Sequence, residues 1–260
     1  MTPNPPPKNY RIFISIVSHG HEELIIDKLR PSDWQDSSGL IIPAILSNIP
    51  SPGLRKYCEN NKIIYLENTH PQGFGQNNNE VFKKFKTLLK IAIEDYFFCV
   101  NPDVQTSMND IIKLATTMSE GNYQIAAPNL VNSFGQSEDN IRNYPTLLDC
   151  ALRLFAQSNR SVIDKSKLHE PTNVEWASGA FLCFKSDVFE SINGFDERYY
   201  MYYEDADICY RANKLGVETT YIPQVTAIHD GKRASRNFFS KLAFHHIKSA
   251  LRFVYTKTRI

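Results

Sequence analysis

Along the chain, apolar residues switch between a two-residue period and a helical one, and each switch falls at a polar or proline-bearing turn. RIFISIV (Arg11 to Val17) predicts a strand ending at Ser18-His19-Gly20, and HEELIIDKL predicts a helix stopped by Pro31. A second strand, roughly Leu40 to Leu46, is almost wholly apolar, as a strand covered on both faces is, although Pro43 interrupts it. After the loop SNIPSPG and a short helix, KIIYLEN predicts a third strand. The glycine-rich HPQGFGQNNN predicts a bend leading into a helix near Glu80 to Ile91. Tyr96 to Val100 (YFFCV) predicts a fourth buried strand that runs into Asn101-Pro102-Asp103.

Periodicity is weak from 129 to 172, where one helix is expected near Leu147 to Ala156. It returns in VEWASGAFLCF (Val174 to Phe184), which predicts a strand broken at Ser178-Gly179-Ala180. Glu204 to Leu215 predicts a helix with acids in its first turn, where they suit the dipole; Asp207 and Arg211 are spaced to pair on one face. ETTYIPQVTAIHDG predicts a last strand, ending at His229. Strands alternating with helices in this way imply an α/β protein with a mostly parallel central sheet. Ligands of such sheets bind at the carboxyl ends of the strands, where Ser18–Gly20, Ser47–Ser51, Gly73–Asn79 and Asn101–Asp103 are expected to gather. No internal repeat or long low-complexity linker divides the chain. One domain over 10–231 is expected between a loose proline-rich leader, 1–9, and a basic tail, 232–260.

The 260 residues carry 29 Lys or Arg and 28 Asp or Glu, a balance that disfavours a dedicated nucleic-acid binder. That balance hides a polarity: from Lys232 to Ile260 there are eight basic residues and no acid, so the rest of the chain has a net charge of −7. Five scattered cysteines without CxxC spacing point to neither disulfides nor zinc, and to a reducing, cytoplasmic setting. The N-terminus has no apolar signal region, and no apolar run approaches the ~18 residues of a membrane span.

Asp103, directly after a buried strand, is placed to hold Mg²⁺ or Mn²⁺ at the ligand edge; an Asn-Pro-Asp turn also uses such an acid simply to stabilise itself. Glu204-Asp205 sits beside the aromatic run YYMYY, whose wall would raise a carboxylate's pKa toward general-base range, and acids also serve plainly as helix-end decoration. His229 at a strand end suits a metal or a structural role. Trp176 beside the small residues 178–180 suits a sugar-stacking platform or the core. The Gly73-Phe74-Gly75 bend would bring backbone amides near a nucleotide or phosphate, but GFGQNN lacks the GxGxxG pattern. In the tail, Phe239, Leu242, Ala243, His246, Ile247, Ala250 and Val254 follow helical spacing, with Lys241, His245, Lys248 and Arg252 on another face. Such a helix fits an anionic membrane surface, and equally a docked helix or a self-association surface.

In order and spacing, the motifs GFGQNNN, NPD, EWASGAF, INGFDERYYMYYEDADICYR and the tail FFSKLAFHHIKSALRF resemble the GT-A-type, inverting family 2 glycosyltransferases. Within that family the likeness is to bacterial dTDP-rhamnosyltransferases of O-antigen and cell-surface polysaccharide synthesis, over roughly Arg11 to Phe253. The resemblance implies a Rossmann-like nucleotide-diphospho-sugar transferase fold, with a donor half over about 10–128 and an acceptor and catalytic half over about 129–231. It implies a nucleotide-sugar donor, a glycan or polyprenyl-linked glycolipid acceptor, and a divalent metal. It places Asp205, with Glu204, as the catalytic acids, Asp103 and His229 at the metal, and Trp176, Ser178, Gly179 and Ala180 where the acceptor meets the donor sugar. Ser18, His19, Asn48, Gly73, Phe74, Gly75, Asn78 and Asn101 fall on the donor side together with Asp103. Two positions depart from the family pattern: Ser47-Asn48 stands where Asp-Asn is usual, and Asn101 replaces the first acid of a strict DxD. A transferase of a UDP-hexose or of UDP-galactofuranose, and an inactive sugar-nucleotide-binding protein, are the alternatives.

Overall fold

A computed structural model describes residues 10–35, 38–145, 161–231 and 241–259. The leader, the helix expected near Leu147 to Ala156, and Phe239 lie outside the described residues.

Four parallel strands open the fold: β1 (Ile12–Ser18), β2 (Ile41–Ser47), β3 (Ile64–Glu67) and β4 (Tyr96–Val100), arranged β3-β2-β1-β4. Alternation within β1 explains its burial. Ile12, Ile14 and Ile16 enter one core with Leu54 and Cys58 of α1 (Pro52–Asn60) and with Ile111, Leu114 and Met118 of α3 (Met108–Glu120). Phe13 points to the other core, against Val81, Phe82 and Phe85 of α2 (Phe74–Leu89). Pro43 is tolerated in β2 because pairing with β3 starts only at Ala44, so Pro43 lies in the stretch that β3 does not reach.

Beyond β4 the sheet becomes mixed. β10 (Phe181–Lys185) enters antiparallel between β4 and β6 (Ile125–Val131), and β11 (Thr219–His229) runs parallel to β6 with a bulge between Ile222 and Thr226. The short strands β5 (Val104–Gln105) and β8 (Thr172–Val174) both pair antiparallel with β11. Parallel pairing is thus confined to β1–β4 and the β6–β11 pair. A separate ribbon joins β7 (Ile141–Arg142) to β9 (Trp176–Ala177). α4 (Ser186–Ser191) and α5 (Glu204–Lys214) cover the same face as α2, through Val188, Phe189, Ile208, Cys209 and Ala212.

The structure corrects the reading of HPQGFGQNNN as a bend before a helix at Glu80. Gly73 is the N-cap, and α2 already runs from Phe74 to Leu89. Gly75 is there for packing: a Cβ on it would lie 2.6 Å from Cβ of Phe195. HEELIIDKL forms a π-helical segment, Leu24–Leu29, closed by Arg30 in the left-handed region (φ 52°); Pro31 then begins a 3₁₀ turn, Pro31–Trp34. Asp207 and Arg211 do pair, at 2.7 Å, with the carboxylate fully buried. The guanidinium also donates to the carbonyls of Ile192 and Gly194, so the start of α5 is tied to the turn after α4.

The last helix, α6 (Lys241–Arg259), docks on the body. Ala250, Phe253 and Val254 are buried, and Phe253 and Ala250 join a cluster with Tyr144, Tyr199, Tyr203, Ala206 and Tyr210. No helix among the described residues is long and apolar enough to cross a membrane.

Candidate active site

The ends of β1, β2, β4, β6 and β11 share one edge of the sheet, and antiparallel β10 starts there. On the first side of this edge, Asn48 uses its whole amide inside the protein. Its Oδ1 accepts from the backbone N–H of Gln72 (2.7 Å) and from Nδ2 of Asn68 (2.9 Å); its Nδ2 donates to the Gln72 carbonyl (2.9 Å) and lies 3.1 Å from Nδ1 of His19. Asn68 reaches on to Asn77. Ser18 is buried, and its Oγ accepts the His21 N–H. Asn78 is buried too, held by Ser15 Oγ (2.7 Å) and by the Phe74 carbonyl. Ser18 and Asn78 therefore lie beneath the edge, while Phe74 and His19 are less covered. Gly73 approaches Tyr200 so closely that a Cβ would sit 2.7 Å from its carbonyl oxygen, and the Phe74 N–H donates to that same carbonyl at 3.1 Å.

At the middle of the edge, pairing of His229 with Val104 sets the imidazole beside Asp103, Nε2 to Oδ1 at 3.4 Å. Burial opposes ionisation of Asp103, but the hydrogen bond and charge of His229, with a contribution from His21, outweigh it and hold the carboxyl below its ordinary range. His21 was not singled out from the sequence; its place two residues after His19, in the same turn, was the available signal. The described residues contain no group of three or more His, Cys, Asp or Glu arranged as metal ligands. Asp103 and His229 are nonetheless an oxygen and a nitrogen donor within one ion's reach, both open to solvent.

Asp205 lies in the first turn of α5. Its Oδ2 accepts the Gly179 N–H at 3.1 Å and its Oδ1 accepts the Ala206 N–H at 2.8 Å. The next residue of that small turn, Ala180, accepts the Asn101 N–H through its carbonyl at 2.9 Å. A short path thus joins Asp205 through Gly179, Ala180 and Asn101 to Asp103, and the two acids stand on one edge. Burial raises the Asp205 pKa, although the Gly179 and Ala206 amides pull the other way. Glu204 is buried with its Oε2 lacking a hydrogen-bond partner, and desolvation, then the neighbouring Asp205 charge, drives its pKa well up. Tyr202 and Tyr203, immediately before, both hold positive φ (69° and 66°). For residues with a Cβ, each such conformation costs roughly 1–3 kcal/mol and persists only where the surroundings enforce it.

Residues 176–180, expected on the acceptor side, are held from behind. Ser178 donates its N–H to the Asn140 carbonyl at 2.8 Å. The Asn140 side chain in turn takes one of three hydrogen bonds from Lys165, whose ammonium also reaches Asn129 Oδ1 and the Leu130 carbonyl. Burial lowers the Lys165 pKa to about 8. Trp176 is partly exposed; its ring nitrogen donates to the Asn143 carbonyl at 3.1 Å, and the Arg142 guanidinium lies 5.9 Å from the ring centre. Lys165 falls in the aperiodic stretch, and nothing in its sequence surroundings marks it.

One sheet edge therefore carries an acid–imidazole pair and a desolvated acid pair, the arrangement expected of a GT-A-type glycosyltransferase from the motif order. Comparisons agree. No family model matches the chain. It is 31% identical over 248 residues to the rhamnosyltransferase WbbL of Escherichia coli K12, covering 95% of this chain and 93% of that one. It is 28% identical over 163 residues to the N-acetylglucosaminyl-diphospho-decaprenol L-rhamnosyltransferase of Mycobacterium tuberculosis, covering 59% of this chain and 53% of that one. Among solved structures, GalNAc-T7 with UDP, GalNAc and Mn²⁺ shares the fold at a TM-score of 0.67 and 12% identity, over 95% of this chain and 48% of that one. The chain belongs to the GT-A-type family 2 glycosyltransferases, in the group that contains WbbL.

The Glu204 environment has a measurable consequence. Its folded pKa is raised above the ordinary 4.5, so the protonated residue favours the folded state below that pH and this contribution is lost as pH rises through the folded value. Glu204→Gln is therefore expected to raise the melting temperature relative to wild type at about pH 8 and to leave it nearly unchanged at about pH 4. An equal difference at both pH values, measured by differential scanning calorimetry, would contradict the buried, protonated state.

Proposed function

We propose that this glycosyltransferase moves L-rhamnose from dTDP-L-rhamnose onto a hydroxyl of a polyprenyl-diphosphate-linked glycan, with Asp205 as the base. The observation that carries the reading is the short path from Asp205 to Asp103, which sets a carboxylate that readily takes a proton and one that stays ionised on the same edge. In the proposed step Asp205 removes the proton of the acceptor hydroxyl as that oxygen bonds to the anomeric carbon from one side. The bond to the nucleoside diphosphate breaks on the other side, which inverts the centre. Glu204, kept protonated beside it, spares Asp205 a second negative neighbour. Gly179, fixed by Asp205 and crowded by Phe74 (3.1 Å from a notional Cβ), keeps the acceptor turn in register with the donor. Trp176 offers the acceptor sugar a flat apolar face, flanked by Ser178 and Ala180. His19, Asn48, Gly73, Phe74, Gly75 and Asn101 shape the donor side, and Ser18 and Asn78 act on it from beneath.

Asp103 and His229 fit a divalent cation, since an oxygen–nitrogen pair suits Mn²⁺ and, through the carboxylate, Mg²⁺. Such a cation supplies positive charge against the diphosphate leaving group. The donor assignment is supported by the names of the relatives, two of which are rhamnosyltransferases, and by the motif order.

The acceptor would be met at a membrane. Ile247, Leu251 and Tyr255 form an outward line on α6 and are 36%, 62% and 54% exposed, with exposed Lys248 beside them. The tail they belong to carries eight basic residues and no acid. Apolar side chains at helical spacing amid lysines and arginines suit the inner, anionic face of the cytoplasmic membrane.

Asp205→Asn is expected to lower kcat by about 10²–10⁴-fold with donor affinity unchanged, whereas Asp103→Ala removes the Mn²⁺-dependent part of donor binding. Nucleoside diphosphate release and calorimetry with and without Mn²⁺ measure both. Near-normal turnover of Asp205→Asn would remove it as base. In a panel of nucleotide sugars, dTDP-L-rhamnose should give the largest thermal shift; preference for a UDP-sugar would overturn the donor, and no response would favour an inactive binding protein. Flotation with anionic vesicles at low salt should recover the wild type and lose Ile247→Asp/Leu251→Asp. Equal recovery of the two would exclude this face.

A further inference from the structure

The turn that presents the acid pair is held from outside by the C-terminal helix. Ser249 Oγ donates to the Met201 carbonyl at 2.9 Å, between the residues flanking the two positive-φ tyrosines and the rest of the loop. The His246 ring lies against both strained residues, 5.2 Å from the Tyr202 ring centre and 5.3 Å from that of Tyr203. His245 stacks on Tyr200 at 4.8 Å, and buried Phe253 packs 5.9 Å from Tyr203. The opposite side of the same turn is closed by the start of α2, through the Phe74 N–H bond to Tyr200 and the close approach of Gly73. Tyr203, the N-cap of α5, enters the helix through its carbonyl, which accepts the Asp207 N–H at 2.8 Å. α6 and the start of α2 pack against this turn from its two sides.

We propose that α6 is a clamp for catalysis, with His246 and Ser249 as positioning residues that hold Tyr202 and Tyr203 in the left-handed region and so aim Asp205. The inference rests on the assignment of Asp205 as base. Released from the clamp, the two tyrosines relax toward negative φ, which rotates the first turn of α5 and carries Asp205 away from Gly179. Asp103, His229 and the asparagine web around Asn48 are spared, because they lie on other elements, and Gly73 and Phe74 keep their hold on Tyr200 from the α2 side.

The test compares His246→Ala, His246→Phe and Ser249→Ala in the full chain. Hydrogen exchange of the amides of residues 200–206 reads the clamp without any catalysis, and kcat and the donor KM read its consequence. The expected result for His246→Ala and Ser249→Ala is faster exchange in 200–206 and a kcat lower by about ten- to a hundredfold, with donor KM within about twofold. His246→Phe, which keeps a ring against the tyrosines, should restore both. Exchange that stays at the wild-type rate in His246→Ala overturns the clamp. Faster exchange with unchanged kcat overturns the positioning role. A loss of kcat that His246→Phe does not rescue overturns the ring contact as its basis. Failure of Asp205 as base is distinguishable, because Asp205→Asn would then retain turnover whatever the exchange data show.

Discussion

Asp205 accepts the Gly179 N–H, and the arrangement of the site depends on that bond. It joins the first turn of α5 to the turn before β10, two segments 26 residues apart in the chain. Because β10 is antiparallel and wedged between β4 and β6, its starting turn arrives at the same edge as the end of β4. Gly179 is fitted to this crossing: a Cβ would lie 3.1 Å from the Phe74 ring and 3.6 Å from Cβ of Asp205. A side chain at 179 would press on the Phe74 ring, which would have to yield by a few tenths of an ångström.

Supports for this bond are arranged around it. Behind the 178–180 turn, Lys165 holds Asn140, and Asn140 holds Ser178. Behind α5, the Asp207–Arg211 pair ties the helix to Ile192 and Gly194; removing Arg211 would strand the fully buried Asp207 charge. In front, the two left-handed tyrosines fix the direction from which the chain enters α5. The polar web of Asn48, Asn68, Asn77, Gln72 and His19 does the same for the ends of β1, β2 and β3. It also leaves Asn48 with no unspent amide group, so the Asn at the end of the second strand is a scaffold for the donor side.

What the sequence disclosed follows from how each element is stabilised. Tyr96–Val100 was legible because apolar burial alone decides it, and Glu204–Lys214 because its first-turn acids and the Asp207–Arg211 spacing are local signals of a helix. The start of α2 was misread because Gly75 signals a turn when only local conformation is considered, and its actual reason, the approach of Phe195, is a contact 120 residues away in the chain. Lys165 was invisible for the same reason: its acceptors lie 25 to 36 residues off, in a stretch without periodicity. The tail was legible as an amphipathic helix but not in its orientation. Ala250 and Val254 are buried as the spacing suggested, yet Ile247 faces outward, because the helix turns Phe253 to the tyrosines of the body and Ser249 to the Met201 carbonyl instead.

Asp103 and Asp205 differ in environment rather than in kind, and the proposed division of labour between them rests on that difference. Asp103 faces an imidazole, and a second histidine adds to the field, so its negative charge is favoured despite burial. Among the described residues Asp205 has no ion-pair partner within 4.0 Å. Two backbone amides partly solvate it, but the desolvation of the pair is the larger effect, and Glu204 beside it is driven further still. Two adjacent carboxylates in a dry pocket resist carrying two charges, so Glu204, the more buried, is driven further toward its protonated form than Asp205, the one bonded to N–H groups. A carboxylate that is weakly solvated in this way is the better proton acceptor, which is what the proposed step asks of Asp205.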